Sequence, residues 1–289
     1  MLKRSSFINS ALLAAALASA CSASFAATSA TNGFSFGSCK PTGKPGSVTL
    51  VTQEADTLTV GTVLPNPGWW NGISPTAVDS GFEYCLAANV AYRAGLHHVK
   101  IKNMAWDQFI SGTATNYDIA LATITITDAR KRVFTFSRPY FSSNLGVATT
   151  GSSDVSETNL RGKRIGVLQG NAGSDWVNHV LKPRSVAVYQ SQPDMFTALI
   201  AGQIDAVITD TTLALAQAKT SNAMVRVVAQ FKIDQGYGAI TPPGSPNSKT
   251  IDSMVGEFSQ DGTLKELSAA YLQPKFGVDP ASVPFWSVK

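Results

Sequence analysis

Short β-branched stretches alternate with longer amphipathic stretches along most of this chain, beginning near residue 58. Residues 58–63 (LTVGTV) have the composition of a short buried strand, and residues 98–104 (HVKIKNM) alternate apolar and polar positions as a half-buried strand does. Between them, residues 81–96 place apolar side chains four apart, which predicts a helix with one apolar stripe.

The alternation continues after Thr150. The expected strands are KRIGVLQG, SVAVYQ, IDAVITD and MVRVVAQ, and the expected helices between them are NAGSDWVNHVLK, PDMFTALIAGQ and TTLALAQAKT. This order predicts α/β units with mostly parallel sheets. The elements divide more easily between two sheets than into one, with an expected seam at residues 143–150 and 237–241. A final pair of helices is expected to break at Asp261-Gly262.

The first 26 residues differ from the rest and predict export. Lys3 and Arg4 precede an apolar run and small residues, which is typical of a secretory signal peptide cleaved before Ala27. Lipoprotein processing at Cys21 is the less favoured alternative. Losing Lys3 and Arg4 lowers the formal net charge from +4 to +2, a balance that gives no support for nucleic-acid binding.

Two cysteines, Cys39 and Cys85, remain after Cys21. An oxidising compartment favours a disulfide between them, and two buried thiols are the alternative. The bridge would connect residues 27–46, a Gly-, Pro- and Ser-rich segment expected to be an extended leader, to the first helix.

The residues give little support for a hydrolase or a metal enzyme. The chain has three histidines, and the adjacent His97 and His98 would point to opposite faces of a strand. The motifs HExxH and CxxC are absent from the sequence. No cofactor is expected.

Two residues suit recognition of a zwitterion, which needs a cationic and an anionic partner. Arg130 lies in TITITDARKR, where a strand would place Thr123 and Thr125 on one face, and its planar guanidinium can bind a carboxylate with two bonds. Asp210 ends an apolar strand and opens a helix, at the edge where open α/β sheets bind ligands. A solvated basic turn and a simple helix N-cap are the respective alternatives.

Further candidates line the same expected edge. Asn171-Ala172 follows a strand and could offer backbone N–H groups to an anion. Trp69, Trp70 and Trp106 could form apolar walls, although each is more often a core residue.

Together these motifs resemble the periplasmic amino-acid-binding proteins of ABC importers, the type II, family-3 solute-binding proteins. The resemblance covers residues 58–276. Its markers, in order along the chain, are LTVGT, GFEYCLA, YDIALATITITDARKRVFTFSRPYF, RIGVLQGNAGSDW, GQIDAVITD and DGT.

The resemblance implies a two-lobed α/β fold, with a mostly parallel sheet flanked by helices in each lobe and two hinge strands joining the lobes. Residues 47–145 with 240–289 would form lobe 1, and residues 146–239 would form lobe 2.

The resemblance also implies roles for the candidate residues. Arg130 would clamp the ligand carboxylate with help from Thr125, while Asp210 and the Thr123 carbonyl would hold the ammonium. Asn171-Ala172 would add N–H donors to the carboxylate, and Trp106 would pack on the ligand.

One departure from the family pattern concerns the first loop. Asn66 stands where an aromatic residue is usual, which makes Trp69 and Trp70 the candidates to supply that wall.

The implied function is capture of an L-amino acid or close analogue by hinge closure and delivery to an ABC permease, by a monomer located in the periplasm. One alternative is an enzyme resembling the cyclohexadienyl or arogenate dehydratases, for which Asp107 and Glu83 are available carboxylates. A sensor input domain and a binder of other small carboxylates are two further alternatives.

Overall fold

The structure is a computed structural model that describes residues 33–233 and 236–288. The predicted signal peptide, Cys21 and the first residues of the leader lie outside this part of the chain.

The strands of the described residues form two sheets. They are β1 (Thr57–Thr62), β2 (His98–Asn103), β3 (Ile119–Ala120), β4 (Thr135–Ser142), β5 (Leu145–Thr150), β6 (Arg164–Leu168), β7 (Ser185–Tyr189), β8 (Ala206–Asp210), β9 (Val225–Phe231) and β10 (Gly236–Thr241). The first sheet has the order β2-β1-β3-β10-β4, and the second has the order β7-β6-β8-β5-β9. The predicted two-sheet α/β fold class is confirmed.

The two sheets repeat one plan. In the first, β1 is parallel to β2 and β3, and β10 is antiparallel to both β3 and β4. In the second, β6 is parallel to β7 and β8, and β5 is antiparallel to both β8 and β9. In each sheet only the fourth strand in this order, β10 or β5, runs opposite to the others. Each of these strands directly follows, along the chain, a strand of the other sheet.

Helices lie between the strands in the predicted alternation. They are α1 (Phe82–Arg93), α2 (Trp106–Ile110), α3 (Asp128–Lys131), α4 (Ala172–Trp176), α5 (Gln192–Ile200), α6 (Thr211–Thr220), α7 (Ser248–Gln260), α8 (Thr263–Leu267) and α9 (Gln273–Phe276). Wider π-helical turns, Val177–Leu181 and Ser268–Leu272, extend α4 and α8. Gly262 has a left-handed φ of 89° and separates α7 from α8, at the predicted break.

Helix α1 is buried almost all round, because it packs between the first sheet and the C-terminal helices. Leu58 and Val60 of β1 belong to the same cluster of core side chains as Phe82 and Leu86 of α1. A helix covered on both sides needs apolar residues beyond one stripe, which explains why the four-residue spacing accounts for only part of its buried surface.

The described part of the leader is attached to the first sheet. The Ser35 amide donates to the His97 carbonyl at 2.8 Å, and Phe36 is buried in the core. A disulfide joins Cys39 to Cys85 of α1, as the favoured alternative predicts.

No helix within residues 33–233 and 236–288 combines the length and the hydropathy needed to cross a bilayer.

The disulfide is expected to stabilise the fold by closing a long loop in the unfolded chain. A sequence separation of 46 residues corresponds to about 4 kcal/mol of loop-closure free energy. The variant Cys39→Ser/Cys85→Ala keeps a small apolar side chain at the buried position. We expect urea denaturation to show a loss of unfolding free energy of up to that size. An unchanged midpoint and slope would mean that the bridge contributes nothing to stability.

Candidate functional site

A cavity of about 360 Å³ lies between the two sheets, at the ends of the strands. Its lining comes from segments at or after the ends of strands in both sheets. Those of the first sheet contribute residues 63–66, 103–106, 122, 123, 125 and 130, and those of the second contribute residues 168, 171, 172, 190–193, 210 and 213. The six candidate residues Thr123, Thr125, Arg130, Asn171, Ala172 and Asp210, together with Trp106, all border it.

Arg130 reaches the cavity from α3, a single helical turn capped by the Thr127 hydroxyl. Its Nη1 donates to the Thr125 carbonyl at 2.9 Å and its Nη2 to the Gly170 carbonyl of the other sheet at 2.8 Å. Since a guanidinium has five N–H donors, three remain for a ligand. Burial lowers the pKa of Arg130, and the nearby Asp210 opposes that shift. The side chain is still a cation at neutral pH.

Thr123 and Thr125 do not lie on a strand, which corrects the expected alternating TITIT strand. The regular pairing of β3 stops at Ala120, and Thr123 has a left-handed φ of 49°. Thr123, Ile124 and Thr125 are all buried, so the segment has no solvated threonine face. The segment regains pairing only at an isolated bridge between Thr125 and Tyr237 of β10.

Glu83 of α1 explains this break. Its side chain is fully buried and accepts hydrogen bonds from the Thr123 amide (2.6 Å), the Trp70 indole (2.6 Å) and the Tyr140 hydroxyl. Burial raises the pKa of Glu83 to about 7, although all three donors act to lower it. Glu83 therefore shapes the cavity wall without bordering the cavity.

Trp69 and Trp70 lie in the core, which corrects the expectation that one of them walls the ligand. Trp69 is fully buried and packs against Phe82 and Tyr237. The backbone N–H groups of both tryptophans donate to the Asn66 carbonyl, which turns the loop and directs the indoles inward. Asn66 itself borders the cavity.

Trp106 is the aromatic side chain that meets the cavity. Its indole nitrogen donates to the Gln169 carbonyl of the second sheet at 2.6 Å. The Arg130 guanidinium carbon lies 5.7 Å from the centre of the ring, within cation–π range. Trp106 and Arg130 thus both bridge the two sheets across the cavity.

Asp210 ends β8 and begins α6, but its side chain makes no capping hydrogen bond. The residue is 5% exposed, and its Oδ1 has no hydrogen-bond partner among the described residues. Burial raises the pKa of Asp210 to about 6, against the lowering effects of the Tyr237 hydroxyl and of Arg130. A buried carboxylate with an unused oxygen is a suitable acceptor for an ammonium group.

Asn171 and Ala172 offer fewer free hydrogen-bond donors to the cavity than their position after a strand suggests. The Asn171 side chain caps α4 by accepting from the Ser174 amide at 2.7 Å. The backbone N–H of Asn171 donates to the Leu168 carbonyl. The Ala172 N–H is the remaining backbone donor of this pair for an anionic ligand.

No sequence pattern indicated the cavity wall formed by residues 190–193, between β7 and α5. Their only signal is their place after a strand, at the edge where ligands bind. Within residues 33–233 and 236–288, no group of three His, Cys, Asp or Glu side chains is arranged to hold a metal ion.

Comparison with known proteins agrees with this geometry. The sequence profile of the bacterial extracellular solute-binding proteins, family 3, matches residues 59–274. The chain belongs to this family.

Two relatives with assigned names are similar to this chain over most of their own length. The L-cystine-binding protein TcyJ of Escherichia coli is 28% identical over 205 residues, which cover 69% of this chain and 75% of TcyJ. The histidine-binding periplasmic protein of Salmonella typhimurium is 25% identical over 204 residues, 66% of this chain and 78% of that protein.

A solved structure, an ancestral arginine-binding protein bound to glutamine, is 29% identical with a TM-score of 0.66. The match covers 76% of this chain and 99% of that protein. These relatives are binding proteins by name, in agreement with the prediction that this family-3 protein is not an enzyme.

Glu83 is expected to give this solute-binding protein a distinctive dependence of stability on pH. Its pKa is raised from 4.5 to about 7 in the folded state, so its stabilising contribution is complete below about pH 4.5 and is lost as the pH rises through 7. Relative to Glu83→Gln, the wild type should therefore lose on the order of 3 kcal/mol of unfolding free energy between pH 4.5 and pH 8. Urea titrations at both ends of this range measure it, and a constant difference would contradict the raised pKa.

Proposed function

We propose that this protein captures an α-amino acid, or a close analogue with the same head group, between its two sheets and delivers it to an ABC permease. The observation that carries the proposal is that Arg130 and Asp210 reach one cavity from different sheets. The names of the relatives, which bind cystine, histidine or arginine, support the same class of ligand.

In the proposed complex the ligand carboxylate binds the free N–H groups of Arg130, with the Ala172 N–H as a further donor. The ligand ammonium binds Asp210 Oδ1 and the Thr123 carbonyl. The wall of the cavity excludes water around both ends, and charge-assisted hydrogen bonds gain strength in such surroundings.

The proposed mechanism is closure of two lobes about two hinge strands. Residues 47–145 with 240–289 form one lobe and residues 146–239 the other. A ligand that contacts both lobes binds the closed state more tightly than the open one, and it shifts the equilibrium by that difference. Export by the N-terminal signal peptide, a monomeric state and recognition of the closed form by the permease complete the proposal.

The two carboxylates named for the dehydratase alternative, Glu83 and Asp107, are poorly placed to act as its general acid. Glu83 is surrounded by hydrogen-bond donors in the core, and neither Glu83 nor Asp107 borders the cavity. A general acid must reach the leaving hydroxyl of a bound substrate.

Substitution of either charged group is expected to abolish binding. Isothermal titration calorimetry and thermal shift against the twenty amino acids first identify the ligand for the wild type, since a ligand that binds only the folded state raises its melting temperature. Arg130→Ala and Asp210→Ala should each then weaken binding at least about 100-fold, because each leaves a buried charge of the ligand unpaired.

Lys131→Ala is the matched control. Lys131 is the next cation along the chain and is paired with Asp128 on the exposed side of α3. This variant should bind as the wild type does. Normal binding by Arg130→Ala or Asp210→Ala would show that the corresponding contact is misassigned.

The proposed ammonium contact also predicts how affinity depends on pH. Asp210 has a pKa of about 6 in the ligand-free protein, and only its ionised form can pair with an ammonium. Affinity should be constant above about pH 7 and fall by up to about tenfold per pH unit below 6. Titrations from pH 4.5 to 8 test this, and Asp210→Asn should bind weakly at every pH. An affinity that does not change down to pH 4.5 would exclude Asp210 as the partner.

A further inference from the structure

The cavity has a charged end and an uncharged end. The first sheet has the partial order β2-β1-β3 and the second β7-β6-β8. Asp210 and the segment carrying Arg130 follow β8 and β3, on one side. The loops after β2, β1 and β7 lie on the other side, where the bond from the Trp106 indole to the Gln169 carbonyl holds the two walls together. We call this second part the distal end, formed by residues 63–66, 103, 104 and 190–193.

No ionisable side chain lines the distal end. Of the cavity-lining side chains in the described part of the chain, Arg130 and Asp210 alone carry charge, and the proposed amino-acid head group occupies both. A charged side-chain tip at the distal end would lose its hydration without gaining a counter-ion, which is strongly unfavourable. The ligand side chain that fits this end is therefore uncharged.

Asn66 gives the distal end a buried polar atom without a partner. Its residue is 8% exposed, and its side-chain Oδ1 is buried without a hydrogen-bond partner among the described residues. Buried acceptors without partners are rare in folded proteins, so an unpartnered acceptor on a residue that borders a cavity is a candidate to bind a ligand. The Asn66 backbone is fixed by the two bonds that its carbonyl accepts from Trp69 and Trp70. The amide can still rotate about Cβ–Cγ, a torsion with a broad profile.

The second asparagine of this wall is already engaged. Asn103 Oδ1 accepts a hydrogen bond from the Leu64 amide at 2.8 Å, which holds the loop after β1. The acceptor of this wall that is buried and has no partner among the described residues is therefore Asn66 Oδ1, and Val63 and Met104 line the same end.

We infer that the ligand side chain is uncharged, has an apolar stem and ends in a hydrogen-bond donor that Asn66 recognises. A primary carboxamide fits best, because its NH₂ and C=O can pair edge to edge with the oxygen and nitrogen of the Asn66 amide. Asn66 is then a specificity-determining residue. This inference rests on the proposed function and adds the class of side chain to it.

The wild-type protein gives the first test by calorimetry. L-glutamine and L-methionine have stems of the same length, but only glutamine ends in a carboxamide. Glutamine should bind about tenfold or more tightly than methionine. The affinity for glutamine should exceed the affinities for L-arginine, L-lysine and L-glutamate by a larger factor. The same holds for L-cystine, whose far end is a second zwitterion. Tighter binding of any of these charged side chains would overturn the inference.

Asn66→Leu gives the second test, because it keeps the approximate shape of asparagine and removes its hydrogen bonds. Glutamine affinity should fall about tenfold or more, while methionine affinity stays equal or rises. Methionine is thus the internal control for an intact cavity. Asn66→Ser removes the amide without adding apolar bulk and should give the same fall in the glutamine-to-methionine ratio.

An unchanged ratio in both variants would exclude Asn66 as the specificity residue. Tighter binding of a charged amino acid than of glutamine would contradict only the inference about the side chain. If the wild-type protein bound no amino acid at all, the proposed function itself would fail and the inference with it.

Discussion

The cavity depends on one buried hydrogen bond, from the Thr123 amide to the Glu83 carboxylate at 2.6 Å. A left-handed conformation is unfavourable for a β-branched residue, and Thr123 adopts it because a buried acceptor lies where its N–H must point. The chain thereby leaves the strand direction of β3. The Ile126 amide then bonds the Gly236 carbonyl, so the backbone that leads to Arg130 is fixed at both ends.

Burial destabilises the charged forms of both Arg130 and Asp210 in the ligand-free protein. It raises the pKa of Asp210 and lowers that of Arg130, because each ion loses water and neither gains a full ion pair. The carbonyls of Thr125 and Gly170 replace part of the hydration of Arg130, whereas Asp210 Oδ1 has no partner among the described residues. In the proposed complex a zwitterion would supply the counter-charge that each group lacks, so the free energy spent on burying these charges would be regained on binding that class of ligand.

The sequence predicted the parts of this structure that depend on local patterns. Strand–helix alternation reproduces the elements around both sheets, and positions at strand ends bring Arg130, Asp210 and Trp106 to one cavity. The predictions that were wrong concern segments whose conformation is set by residues far away in the chain. The TITIT segment alternates like a strand, but Glu83, forty residues earlier in the chain, breaks it.

The tryptophan pair shows a second long-range cause. Gly81 has a φ of 123°, and a Cβ there would lie 2.4 Å from the Trp69 carbonyl oxygen. The loop after β1 therefore folds tightly against the start of α1, which buries both indoles and leaves Asn66 at the cavity. The pattern of residues within the loop does not predict this contact, because the contact depends on the close approach of the backbone at the start of α1.

A buried glutamine connects three separate parts of the chain. Gln230 of β9 is 1% exposed; its Oε1 accepts from Asn144 (3.1 Å) and Thr211 (3.2 Å), and its Nε2 donates to the Pro280 and Val283 carbonyls, both at 2.9 Å. One amide thus joins the first crossing between the sheets, helix α6 and the C-terminal segment. Disrupting it would leave several buried polar groups unpaired at once. If the two sheets rotate against each other in the proposed closure, we expect the backbone of the two crossings to change and the hydrogen bonds of Gln230 to stay intact.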